Sequence, residues 1–170
     1  MQRPQPSEYN DFFQRYIDQV PEGELATVIW QETDESLDLL YSIPEEKHNY
    51  RYAPGKWTIK DVLVHVTDTE RVMSYRALAA ARGDRHTVLG LMDENLYAAG
   101  VDNTDRPMES IIEEFTAVRS ATELMFSSFA EDKWLQESNV GGKMTTARAW
   151  AYILLGHARH HLNVIQERYL

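Results

Sequence analysis

Apolar residues recur along this chain at intervals of three and four, the spacing of a helix with one buried face. Ser7 stands where it can cap a short helix to about Val20, where Pro21 and Gly23 intervene. From Glu24 to about Tyr41 the apolar positions are Leu25, Val28, Ile29, Leu37 and Leu40, interrupted by the polar run 32–35, and Pro44 closes the segment. Thr58 followed by Asp61 has the form of a capping box, here with Asp in its last position. The helix it opens carries Ile59, Val62, Leu63, Val66, Met73, Ala77 and Ala80 up to Gly83. Residues 83–107 read as a long connection with one short helix at Met92 to Ala99. Pro107 then introduces a helix with Ile111, Ile112, Phe115, Val118, Leu124, Met125 and Phe129 on its apolar face. After Gly141-Gly142, a last helix runs from Thr145 or Thr146 almost to Leu170. No alternating strand pattern and no internal repeat is visible. The expected fold is all-α: a four-helix bundle with an additional short N-terminal helix, residues 1–170 forming one domain.

Composition narrows the function. Cysteine is absent, so disulfides are excluded and a metal would need nitrogen or oxygen ligands. A formal net charge of −10, with 17 Lys and Arg scattered among 27 acids, argues against a nucleic-acid-tracking surface. No apolar run approaches the roughly 18 residues of a membrane span, and the start Met1-Gln2-Arg3-Pro4 is polar. A cytoplasmic protein acting on a small molecule, without nucleic acid or membrane, is the expectation.

The chemistry concentrates in Gly156-His157-Ala158-Arg159-His160-His161. Side chains at i and i+4 share a helix face, so His157 and His161 can hold one ion together. On a helical wheel the stripe of Ala147, Ala151, Leu154, Ala158, Leu162 and Ile165 places His161 inside its border and His157 near the edge; His160 faces the polar side. His65 borders the stripe of Val62, Val66, Thr69 and Met73 and is placed to supply a third ligand. Three histidines plus water describe catalytic zinc sites, although imidazole also suits nickel, copper and iron. The competing reading is a set of ordinary core histidines.

The stretch Tyr50-Arg51-Tyr52-Ala53-Pro54-Gly55-Lys56-Trp57-Thr58-Ile59-Lys60-Asp61-Val62-Leu63-Val64-His65 resembles the DinB/YfiT-like superfamily. So do Glu70-Arg71, Arg82-Gly83-Asp84 and Gly156-His157-Ala158-Arg159-His160-His161-Leu162, within a likeness extending roughly from Glu24 to Tyr169. The resemblance implies a four-helix bundle, commonly dimeric, with three histidines binding zinc or nickel. Carried over, the metal ligands are His65, His157 and His161, in agreement with the wheel. It also implies a metal-dependent S-transferase using a low-molecular-weight thiol such as bacillithiol or mycothiol as co-substrate. A small metal-dependent hydrolase and a non-catalytic metal-binding stress protein are the alternatives. The similarly named translesion polymerase is a different protein.

Outside the triad no residue has the placement of a catalytic base. Asp61 is read as a capping acid, with orientation of an imidazole as its second role. Tyr50, Tyr52 and Trp57 are packing or a pocket mouth; Asp93, Glu94 and Tyr97 a solvated loop or a lid. His48 and His86 are assigned to the surface, Trp134 and Trp150 to the core, and Glu109, Glu113 and Glu114 to the favourable start of a helix. The N-terminal residues Phe12, Phe13, Tyr16 and Ile17 must cover either their own bundle or a partner's, and a homodimer is expected.

Overall fold

A computed structural model describes residues 2–170. Its four long helices are α2 (Leu25–Ser42), α3 (Ile59–Ala81), α5 (Met108–Ser127) and α6 (Ala147–Arg168). Before them comes α1 (Gln14–Ile17), and between them lie the strand β1 (Val88–Leu89), α4 (Glu94–Ala99) and the strands β2 (Glu137–Val140) and β3 (Lys143–Thr146). The long helices close a bundle in which α3 packs on α6 and α5, while α2 packs on α5 and α6. No helix is long and apolar enough to cross a membrane among the described residues.

Local chemistry explains the helix starts. Thr58 Oγ1 accepts from the Asp61 N–H and Asp61 Oδ2 accepts from the Thr58 N–H, both at 3.0 Å, completing the capping box. Thr146 caps α6 by accepting from the Ala149 N–H. The N-terminal segment departs from the expected helix. Two 3₁₀ turns, Pro6–Glu8 and Asp11–Phe13, precede a helix of only four residues, and Asn10 rather than Ser7 caps the second turn. This segment covers its own bundle: Tyr16 and Ile17 are buried against α6.

The strands are the larger surprise. β1 pairs parallel with β2, and β2 pairs antiparallel with β3 in the register Val140 to Lys143. Gly141 and Gly142, with φ of 58° and 87°, supply the two positive-φ residues that a tight hairpin turn needs. β2 does alternate its burial, but one of its inward residues is Ser138, which carries no hydropathy signal. Ser138 Oγ donates to the Arg76 carbonyl and accepts from Trp150 Nε1, tying the hairpin to α3 and α6.

The apolar core falls into two clusters. One gathers the C-terminal half of α3, the first half of α6 and the start of α2; the other gathers the opposite ends of these helices. Between them runs a buried polar layer to which every long helix contributes: Glu32 and Ser36, Thr67, Thr69 and Glu70, Arg119 and Thr122, and His157. Arg119 lies in this interior, so the inward face of α5 is Ile111, Ile112, Phe115, Arg119, Thr122 and Phe126. Leu124, expected on that face, points outward and is exposed.

Candidate metal centre

His65 lies on α3 two turns beyond the capping box, and His157 and His161 lie one turn apart in the second half of α6. The packing of α3 on α6 brings the three rings together. Their centroids are 5.0 Å apart for His65–His157, 4.8 Å for His65–His161 and 4.5 Å for His157–His161. One ring nitrogen from each falls within 4.8 Å of the others, and no carboxylate joins the cluster among the described residues.

The donor set fits a divalent ion. Nε2 of His65 and Nε2 of His157 stand 3.1 Å apart. Two imidazole nitrogens on one tetrahedral zinc are about 3.3 Å apart, from Zn–N distances of about 2.0–2.1 Å. Burial drives His65 down to about 4 and, with the neighbouring histidines and Arg15, His161 down to about 3; His157 is pushed well below its ordinary value in the same way. All three rings are therefore neutral at pH 7, the state in which imidazole offers a lone pair. His65 Nδ1 is buried and without a hydrogen-bond partner. Trp57, tilted against this ring at 4.8 Å, holds it by packing.

The depth order of the α6 histidines is the reverse of the wheel's. His157 is 5% exposed, whereas His161 is half-buried. The reason is α1, which lays Tyr16 edge-on against the His157 ring at 5.2 Å. A wheel sees only the helix's own stripe. The close approach also explains Gly156: a Cβ at this position would overlap the Tyr16 carbonyl. His160 remains outside the cluster but is half-buried, 3.4 Å from Gln19 Nε2. Arg159 anchors the motif to α2, donating to Glu32 at 2.6 Å.

Asp61 does not orient an imidazole. Its carboxylate is committed to the cap, to Arg51 at 3.4 Å and to Asn103 at 3.3 Å. Tyr50 and Tyr52 meet Tyr169 edge-on, and Tyr52 also lines a cleft with His161. His48 is half-buried, 3.2 Å from the Ile43 carbonyl, while His86 is exposed. Trp150 is fully buried, and Trp134 is half-buried against Phe126 and Phe129. Glu114 is taken up by ion pairs with Arg71 and Arg106.

Two clefts flank the triad. The larger, about 750 Å³, exposes His65 and His157 and is walled by α3, the N-terminal aromatics, Trp150 and the hairpin. The smaller, about 380 Å³, exposes His161 beside Tyr52 and Trp57. The start of α4 separates them, Glu94 lining the first and Asn95 the second. Asp93 caps α4, and Tyr97 is exposed.

A helical bundle carrying three converging histidines at a cleft defines the class. The model of the DinB superfamily matches residues 14–165, nearly the whole chain, and the chain belongs to that superfamily. Among solved structures it is similar to YfiT from Bacillus subtilis, described as "a probable metal-dependent hydrolase with an unusual four-helix bundle topology". That likeness has a TM-score of 0.67 at 12% identity, over 98% of this chain and 90% of the other. It is also similar to a mycothiol-dependent maleylpyruvate isomerase, with a TM-score of 0.66 at 14% identity over 86% of this chain. The match spans 61% of that longer protein. At these identities the likeness concerns the fold. No curated protein matches the sequence.

Proposed function

We propose that His65, His157 and His161 bind one divalent metal ion, zinc or nickel, and that the chain is a metal-dependent S-transferase for a low-molecular-weight thiol. The observation that carries this reading is a cluster of three neutral imidazoles, joined by no fourth side-chain ligand among the described residues, beside an apolar-walled cavity of about 750 Å³. Three ligands leave a position open, and a mostly apolar cavity with few polar groups is the usual form of a small-molecule site. A divalent ion held by these three histidines would supply Lewis acidity that favours the thiolate form of a bound thiol.

The protein's own residues do the rest. Tyr16 and Trp57 fix two of the rings. Phe13, Met73 and Trp150 line the large cleft and keep water from the electrophile. With no cysteine in the chain, the thiol must arrive as a second substrate. Among the described residues no carboxylate joins the triad at ligand distance, which favours a nucleophile that needs no protein base over one that does.

Hydrolysis is the second reading, and Glu94 is the observation in its favour: it lines the cavity that His65 and His157 also line. One of the similar structures bears a hydrolase description as well. A screen of thiol conjugation and of ester and amide hydrolysis, with and without chelator, separates the two. The transferase reading expects chelator-sensitive conjugation that survives Glu94→Gln. Chelator-sensitive hydrolysis lost in Glu94→Gln makes the protein a hydrolase. Stoichiometric metal with neither activity makes it a non-catalytic binder.

A further inference from the structure

Arg76 stands on α3 eleven residues beyond His65. At about 100° per residue that spacing returns to within about 20° of the same face, so both side chains address one side of the helix. Both line the large cavity. Arg76 is 5% exposed, donates from Nη2 to the Gly90 carbonyl at 2.8 Å and lies 5.1 Å over the Trp150 ring. Among the described residues no carboxylate is within ion-pair distance of it.

That is an unusual state for a buried cation. Arginine is almost never fully buried without a partner, and its guanidinium offers five N–H donors in a fork matched to a carboxylate. The contrast is Arg119, also buried, which Glu70 neutralises through three hydrogen bonds. Burial pushes Arg76 below its ordinary value, opposed only by Tyr97. Asp93 and Glu94 also line the cavity, but both are exposed and Asp93 is occupied in capping α4. Lys143 from the hairpin lines the cavity as well but is equally exposed, which leaves Arg76 as its one buried charge.

We propose that Arg76 is the carboxylate-binding residue of this cavity, so that the molecule entering it is a small organic acid. Eleven residues at about 1.5 Å each place the Arg76 Cα about 16 Å along the helix from that of His65. The carboxylate it receives therefore belongs to the end of the ligand remote from the reacting atom. The assignment rests on the cavity being the substrate site of the proposed metal enzyme. The anion contact itself needs no metal, which keeps the two readings separable.

Benzoate and its neutral isostere benzamide, titrated calorimetrically into the full-length protein as purified and after chelation, test the assignment. Benzoate should bind both forms, and benzamide should bind weaker by about tenfold or more, the loss expected when a hydrogen-bonded charge is replaced by a neutral group. Arg76→Met should bring benzoate down to the level of benzamide, and Arg76→Lys should retain part of the preference. Equal binding of the two compounds to the unaltered protein, absence of benzoate binding, or unchanged benzoate binding in Arg76→Met overturns the proposal. The comparison on the unaltered protein stands even if Arg76→Met fails to fold. A benzoate preference in protein that never takes up metal would defeat the metal reading alone; metal uptake without the preference would defeat the Arg76 assignment alone.

Discussion

Two parts of the buried polar layer on α3 handle their polar groups in opposite ways. On the side facing α5 and α2, Glu70 accepts from Nε and Nη2 of Arg119, whose Nη1 reaches Thr33 at 3.3 Å. Both side chains of that ion pair are almost wholly buried and every strong group has a partner. On the side facing α6 and the cavity, among the described residues, His65 Nδ1 has no hydrogen-bond partner and Arg76 has no counter-charge. Satisfied buried polar groups lock helices in register. Unsatisfied ones beside a cavity of about 750 Å³ are open to the ligands proposed above. The two halves of the helix differ in their hydrogen-bond accounting rather than in burial.

The largest effect should come from breaking the satisfied half. Arg119→Met leaves Glu70 buried without its partner and should cost about 3–5 kcal/mol in urea unfolding. A loss below about 1 kcal/mol would place that pair among the weak surface bridges and remove the contrast. Next, Gly156→Ala forces α1 away from α6 and should cost about 1–3 kcal/mol, the range for overpacking, while leaving the α3 ion pair untouched. Unchanged stability there would mean that Tyr16 does not set the depth of His157.

A smaller effect belongs to the N-terminal clamp. Desolvation raises the Glu8 carboxyl, but hydrogen bonds from Arg148, the Gln5 N–H and Thr146 outweigh it and hold the group below its ordinary 4.5. A depressed carboxyl stabilises the fold above its unfolded value and loses that contribution as pH falls through the folded value. Stability should therefore decline as pH drops below about 4.5, and Arg148→Met should make that decline shallower. An acid limb of the same slope in the variant would assign it to other carboxylates.

Legibility in the sequence followed how local each signal was. The capping box at Thr58, the i,i+4 pair of His157 and His161 and the periodicity of α3 and α6 are local, and each led to the right element. Glu32 to Glu35 appeared as a gap in an apolar stripe, yet Glu32 is one of the most buried acids, paired with Arg159 from α6. Nothing in either segment alone announces that partner. Arg119 and Thr122 face the interior for the same reason, and their polarity displaced the apparent face of α5 towards Leu124. A lone arginine on a helix, such as Arg76, is ordinary until its surroundings show that its charge is unmatched. The hairpin was hidden by its length and by Ser138, whose burial depends on Trp150 and Arg76.

Cobalt titration of the full-length protein, following the visible d–d spectrum, tests the assignment of the three histidines as ligands. One equivalent should bind in a low-symmetry, open site. Binding should be lost when His65, His157 and His161 are replaced together by Ala, with helicity retained, and kept in His160→Ala. A triple variant that takes up cobalt as tightly as the unaltered protein would contradict it.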